Sequence, residues 1–487
     1  MSLRYVLYGF TTLIYIIVAF NSSGYDDEFF NINLVEQHGF SAFFFTQSNS
    51  VHPPLSYLLN AFLYEALGSW SGVRLVSALM VCVGFFYLSE NIAKEQGNRA
   101  AILTFLLLAT NPALLLWGTS VRWYAYFLPV LLWLLIIPKN KNEWYWAKLA
   151  FGLVILGYIG YATFIIAPAL ILGYWFANPQ DFKTKLKYFL PSMGFAAIAY
   201  LPQLLVFFNV HFPNGESQIG SIFSSFAGVF IAQFSNQGVF PISIAGFMGA
   251  TGMFIMMYFA LTSGPLLPIK YNHRMISYAL FVMLLVFSGI SAKFRTLVLA
   301  TPLQAVWLGT TAPKYGANKV FCLGLALVLV SNFWGMFNVY RHQDTTKNSW
   351  NLPVEQLLTQ LQSENDLCNA DAIFFAHDPT ISYFLEKSSF KLVGPYAKNK
   401  FEQKESYKCV YLIKTFRGSI SNERYVKMLH EFEKLNFDNK TILYLQEDNL
   451  FNYSIKSNLD SSYPLYAISI IKLSDVNNIG VMASWVP

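Results

Sequence analysis

The sequence predicts a polytopic α-helical membrane protein with about eleven transmembrane helices and a C-terminal soluble α/β domain. Three observations predict it. Of the 487 residues, 55% are hydrophobic and only 12% are charged, against roughly a quarter charged in ordinary soluble domains. The charge is also unevenly divided. Residues 1–340 hold 17 basic and 10 acidic side chains, and the other 33 charged residues crowd into residues 341–487. Finally, apolar stretches suited to a bilayer core of about 30 Å recur along the first part and stop at Tyr340. A single soluble globule, a disordered chain and a charge-based nucleic-acid binder are all excluded by this pattern. The domains are therefore drawn at 1–340 and 341–487.

Backbone groups in lipid must be satisfied within the segment, so the spans are helices. In order they fall at 5–20, 73–88, 100–116, 124–137, 149–160, 162–176, 188–209, 239–261, 275–290, 296–311 and 320–340. The first is an uncleaved span: Arg4 alone precedes it, and Asn21-Ser22-Ser23-Gly24-Tyr25 offers no small-residue cleavage site. The pair at 149–160 and 162–176 also reads as one long helix, and the positive-inside rule arbitrates. With the pair separate and the N-terminus inside, Lys94, Arg99, Lys139, Lys141, Lys148, Lys183, Lys185, Lys187, Lys270, Arg274, Lys314 and Lys319 all face the cytoplasm. Merging the pair would send the Lys183/Lys185/Lys187 cluster outside. The outer face keeps Arg122, Lys293 and Arg295, and the C-terminal domain lies outside. Cys368 and Cys409 belong to that domain, where an oxidising compartment permits a disulfide.

The loop between the first two spans, residues 21–71, concentrates polar chemistry on that same outer side. It opens with Asp26-Asp27-Glu28, then Phe29, Ile32 and Val35, then Phe43-Phe44-Phe45, a pattern that suggests short interfacial helices with the apolar side down. Acids in a first helical turn serve capping and the dipole. Capping explains one carboxylate but not three in a row at a membrane surface, where burial next to lipid is costly. Further on, Ser50-Val51-His52-Pro53-Pro54-Leu55-Ser56-Tyr57 reads as an extended turn into a helix beginning near Leu55. His52 alone reads as a structural polar residue.

Taken together these stretches resemble the GT-C glycosyltransferases, in particular the branch of protein O-mannosyltransferases and lipid A aminoarabinose transferases. The resemblance rests on the acidic pair Asp27-Glu28 after the first span and His52-Pro53-Pro54-Leu55-Ser56-Tyr57 about 25 residues on. Gly72-Val73-Arg74-Leu75-Val76-Ser77, Ser120-Val121-Arg122-Trp123-Tyr124-Ala125 and the basic loop Lys293-Phe294-Arg295 leading to Pro302 extend it. It is clearest over residues 1–140, with a looser echo at 290–311. The Arg-Tyr usual in the late loop of that branch is Arg295-Thr296 here.

The resemblance implies transfer of a sugar from a polyprenyl-phosphate carrier to an acceptor at the outer membrane face, with inversion. Asp27 would be the base, Glu28 its neighbour and Asp26 a third acid of unassigned role. Arg122, Lys293 and Arg295 would grip the carrier phosphate, since Arg suits bidentate phosphate contacts, although Lys293 and Arg295 also read as interfacial anchors. His52 and Tyr124 would bind substrate. No metal is expected. Clustered carboxylates can hold Mg²⁺ or Mn²⁺, but the Arg/Lys set already supplies positive charge, and no cofactor is required. The partners are the lipid-linked sugar donor, a glycan or lipid-linked glycan acceptor and the bilayer. Chain size and layout resemble the glucosyltransferases that decorate lipopolysaccharide O-antigen, implying a bacterial inner-membrane enzyme that faces the periplasm and transfers glucose; lipid A or protein is the alternative acceptor.

Two other classes fit the sequence less well. A lipid-linked sugar transporter would show internal repeats and ionisable groups within spans, and the charges here sit at span ends. A polymerase or ligase of the O-antigen would carry a basic central outer loop, whereas residues 211–238 contain neither Lys nor Arg. In the C-terminal domain, strands are expected at 371–376, 409–415, 441–445 and 466–473, with helices at 353–362, 380–386 and 422–435. No glycine-rich phosphate loop occurs there.

Overall fold

The computed structural model describes residues 3–21, 26–42, 53–136, 144–177, 179–211, 244–262, 277–283, 299–311, 318–343, 354–369, 372–376, 391–393, 409–417, 437–445 and 466–473. The helices in chain order are α1 Leu3–Asn21, α2 Asp26–His38, α3 Leu55–Leu67, α4 Trp70–Gln96, α5 Asn98–Ala109, α6 Pro112–Gly118, α7 Trp123–Ile136, α8 Trp144–Ile159, α9 Thr163–Ala177, α10 Pro179–His211, α11 Ile244–Thr262, α12 Thr301–Thr311, α13 Lys319–Gln343 and α14 Val354–Leu367. Two compact units emerge: Met1–Asn21 with Val35–Tyr340, and Ser22–Leu34 with Arg341–Pro487.

The first unit is a polytopic helical membrane protein, and its helices show why. On α1 the outward residues Tyr5, Val6, Phe10, Leu13, Ile17 and Phe20 are apolar and exposed, while Arg4, Tyr8, Thr11 and Tyr15 face inward. A polar stripe inside and an apolar one outside suits lipid as solvent. Arg4 pairs with Glu90 of α4 at 2.9 Å and donates to Asn98 of α5. Tyr8 donates to Ser89, whose hydroxyl donates to the Ala101 carbonyl. Among the described residues, α1, α4 and Lys319–Phe337 of α13 are long and apolar enough to cross a membrane, and the bent pair α5–α6 adds a fourth. Several shorter apolar helices accompany them.

Two differences from the sequence pattern and one agreement with it are informative. The single span drawn at 100–116 is two helices bent by 65° at Thr110–Asn111. Pro112 has no N–H to continue α5, and the Asn111 side chain accepts from Ala113 and Leu114 N–H to start α6 afresh. Asn332 of α13 donates to Thr110 Oγ1 at 3.0 Å and braces the joint. Helices α8 and α9 are separate, parted at Gly160–Ala162, where the Thr163 N–H turns back to the Gly160 carbonyl. Third, α2 is not the one-sided interfacial helix its apolar residues suggest. Glu28, Asn31, Ile32, Asn33, Leu34 and Val35 are all buried, and at 100° per residue they cover nearly the whole circumference. The segment 43–45 lies outside the described residues.

In the second unit, five strands, β1 Ala372–Ala376, β2 Lys391–Val393, β3 Cys409–Arg417, β4 Phe437–Leu445 and β5 Tyr466–Leu473, form one sheet of order β2-β1-β3-β5-β4. β1 runs parallel to β2 and β3, and β5 runs antiparallel to β3 and β4. β2 carries no clear strand signal in three residues, which hides it from sequence reading. The helices expected at 380–386 and 422–435 lie outside the described residues. Cys368, just past α14, is joined to Cys409 at the start of β3, their Cα atoms 6.0 Å apart. Beside this disulfide the Tyr411 hydroxyl donates to Glu364 Oε2 at 2.9 Å. Burial, followed by that hydrogen bond and the carboxylate charge, raises the Tyr411 pKa.

Candidate active site

The buried end of α6 and the start of α7 form the polar centre of the helical unit. Helix α6 ends at Gly118, and its last carbonyls are taken up locally: Thr119 Oγ1 donates to the Leu115 carbonyl at 2.8 Å and Ser120 Oγ to that of Trp117 at 2.8 Å. The short turn Thr119-Ser120-Val121-Arg122 is thereby enclosed, and Arg122 is only 3% exposed. The Arg122 carbonyl accepts from the Ala125 N–H as α7 begins. A guanidinium here stands at the positive end of the α7 dipole. Two positive features together in a low-dielectric interior make a place that favours an anion.

Aromatic rings fix the next residues. Tyr124, 2% exposed, stacks on Trp123 at 3.9 Å and meets Trp117 at 5.0 Å. Trp123 in turn sets its edge against Phe127 and lies over Gly160. The sequence places Arg122 and Tyr124 together, and the structure brings both to this turn.

The helix that follows the two prolines joins the same centre. Pro53 and Pro54 are buried, and the Pro54 carbonyl accepts from Leu58 N–H to begin α3. Halfway along α3, Asn60 is fully buried, and Tyr126 of α7 donates to its Oδ1 at 2.5 Å. Gly68, with φ 64°, closes α3 on the Tyr64 carbonyl, and Ser69 caps α4 by accepting from the Gly72 N–H. Trp70 then stacks on Tyr64 and donates to Glu36 Oε1 at 2.7 Å, fastening the end of α2.

Asp26, Asp27 and Glu28 form the first turn of α2. Glu28 is 1% exposed and belongs, with residues 22–34, to the other compact unit. The side chains of Asp26 and Asp27 lie outside the described residues, as do His52, Lys293 and Arg295. Among the described residues no three His, Cys, Asp or Glu side chains converge on a metal-sized space. Sequence reading did not single out Trp117, Asn60 or Tyr126, which the structure buries beside the Arg122 turn or packs against α7. The signal for Asn60 was present as an amide within the apolar run Leu58-Leu59-Asn60-Ala61-Phe62, where a polar side chain is costly in a membrane protein.

No family model and no curated protein matches the chain. Solved structures do. The crystal structure of ArnT from Cupriavidus metallidurans bound to undecaprenyl phosphate aligns over 96% of this chain and 98% of its own, with a TM-score of 0.53 at 12% identity. The apo form of that protein aligns over 96% and 97%, with a TM-score of 0.54 at 12% identity. ArnT is a GT-C lipid A aminoarabinose transferase. The chain has the GT-C fold. Because the alignment runs nearly end to end on both sides, the GT-C likeness covers both compact units rather than a helical fragment.

Proposed function

We propose that this chain is a membrane glycosyltransferase that moves a sugar from a polyprenyl-phosphate carrier to an acceptor. The end-to-end likeness to the ArnT structure holding undecaprenyl phosphate carries the reading, and the buried Arg122 at the α7 start supports it. In the reaction a carboxylate takes the proton of an acceptor hydroxyl, and the freed oxygen attacks the anomeric carbon. The bond from that carbon to the carrier phosphate breaks, and polyprenyl phosphate leaves with inversion at carbon. Asp27 is the base, Glu28 its neighbour and Asp26 a further acid of the same turn. Arg122, with Lys293 and Arg295, receives the charge developing on the phosphate, and His52 and Tyr124 bind substrate. No metal takes part.

The finer reading is of a bacterial inner-membrane enzyme with eleven spans, whose active site and C-terminal α/β domain face the periplasm. The disulfide Cys368–Cys409 supports an oxidising compartment for that domain. The donor sugar is glucose and the acceptor lipopolysaccharide O-antigen, with lipid A the next candidate. A lipid-linked sugar transporter is the rival reading, since the break between α5 and α6 resembles the discontinuous helices of transporters. That break is filled by its own Asn111 cap and by Asn332, which favours a structural joint over an ion or substrate site.

The test incubates purified protein in nanodiscs with radiolabelled polyprenyl-phosphate sugars and candidate acceptors, beside Asp27→Asn and a chelator arm. Label should pass to an acceptor with the wild type and not with the variant, with or without chelator. Transport of intact donor without transfer would establish the rival reading. Transfer undiminished in Asp27→Asn would remove the base assignment.

A further inference from the structure

Asn60 carries an unusual combination. Its carbonyl oxygen is engaged by the Tyr126 hydroxyl, its side chain has no solvent exposure, and its amide nitrogen has no hydrogen-bond partner. A buried amide nitrogen with two N–H groups and no acceptor is costly, and such groups call for an explanation when they persist. The Tyr126 contact makes the cost specific. Because the phenol donates to Oδ1, the amide is held with its nitrogen turned the other way, so that Asn60 offers donors and not acceptors. A helix brace alone would need only the oxygen, and a threonine or serine would supply one without the orphaned nitrogen.

Position points to what the donors meet. Tyr126 follows Arg122 by four residues, one turn and about 6 Å along α7. Asn60 is thus tied to a residue one turn of α7 beyond Arg122, the residue proposed to hold the carrier phosphate. Other buried hydroxyl-bearing side chains are Ser77 on α4 and Tyr57 one turn before Asn60 on α3. Neutral donors and hydroxyls suit a ring rich in oxygen and would be wasted on a hydrocarbon tail.

We propose that the Asn60 amide reads an oxygen of the donor sugar, with Tyr126 as the positioning residue that sets its orientation. The inference rests on the lipid-carrier reading above and adds to it a contact that discriminates the sugar-bearing carrier from the bare one. The experiment measures binding of undecaprenyl phosphate and of undecaprenyl phosphate glucose to the full chain in nanodiscs. It compares wild type, Asn60→Leu, Tyr126→Phe and Arg122→Gln, with an unfolding midpoint for each.

Wild type is expected to bind the glucose-bearing carrier more tightly than the bare one. Asn60→Leu is expected to weaken the glucose-bearing carrier about tenfold and leave the bare one unchanged, a difference of about 1.4 kcal/mol. Tyr126→Phe keeps the N–H groups but frees the amide to turn, and is expected to give a smaller loss on the same ligand only. Equal affinities of Asn60→Leu and wild type for the glucose-bearing carrier, or equal losses on both ligands, would overturn the inference. Should Asn60→Leu fail to fold, Asn60→Ala, which also removes both N–H donors, replaces it under the same criterion. Failure of wild type to bind either carrier would sink the lipid-carrier reading itself. Loss of both ligands in Arg122→Gln, with Asn60→Leu indistinguishable from wild type, would sink this inference alone.

Discussion

Gly160→Ala puts the aromatic support of Arg122 to a direct test. A methyl group on Gly160 would stand 2.5 Å from Cε3 and 2.6 Å from Cζ3 of Trp123, and 3.2 Å from Phe127. Carbon atoms rest comfortably at about 3.5–4.0 Å, so the indole would have to retreat by about 1 Å. The indole also stacks on Tyr124 at 3.9 Å, and Tyr124 meets Trp117 at 5.0 Å. All three rings are buried, which leaves little room to yield. Overpacking of this sort costs about 1–3 kcal/mol. Since Arg122 precedes Trp123 directly, displacement of the stack also moves the guanidinium, and affinity for undecaprenyl phosphate should fall together with stability. The control is Gly194→Ala within α10, where a methyl group meets nothing within 4 Å. That change should leave stability unchanged or raise it by up to about 1 kcal/mol through helix propensity. The assay is the apparent unfolding midpoint of each variant in nanodiscs, followed by carrier titration. Equal midpoints and equal affinities in the two variants would refute the claim that the stack is close-packed and holds Arg122.

Other outcomes follow from separate parts of the molecule. Replacing Cys368 and Cys409 with Ser opens a bridge between residues 41 positions apart, and chain entropy puts the loss at about 4 kcal/mol. Limited proteolysis should then cut the second unit while sparing the helical one. Tyr411 is held protonated by burial and by Glu364, so its folded pKa lies above the unfolded value of about 10. Its stabilising contribution is complete below pH 10 and declines as pH rises beyond that value. Tyr411→Phe should flatten this alkaline decline in a denaturant series monitored on the second unit. Asn332→Leu removes the bond to Thr110 at the α5–α6 bend and should cost about 0.6–1.7 kcal/mol, the range for such contacts between membrane helices. Hydrogen exchange at 108–114 should quicken more than elsewhere.

Much of the architecture was legible because lipid imposes a coarse and strict rule. Residues 1–340 could hide so few charges, and carry so many apolar runs, only as membrane helices. The grouping of Arg122 with Tyr124 was legible too, since two positions in one turn cannot separate far. The helix break at Asn111–Pro112 could have been read from the Asn-Pro pair, but the apolar run across it outweighed the cap. The burial of polar residues of α2 beside its apolar stripe was not legible. Phe29, Ile32 and Val35 describe only one stripe, and nothing local announces that Glu28, Asn31 and Asn33 are covered as well.

Composition and periodicity thus determined the class of solvent and the helical character of the apolar segments, because those properties belong to single segments. Tertiary structure alone decided that Tyr126 meets Asn60 across 66 positions, that Trp123 rests on Gly160 and that Cys368 reaches Cys409. Such pairings depend on how whole helices and strands settle against one another. A hydrogen bond or ring contact acts over a few ångströms, whereas its partners in the chain are separated by dozens of residues with no mark upon them.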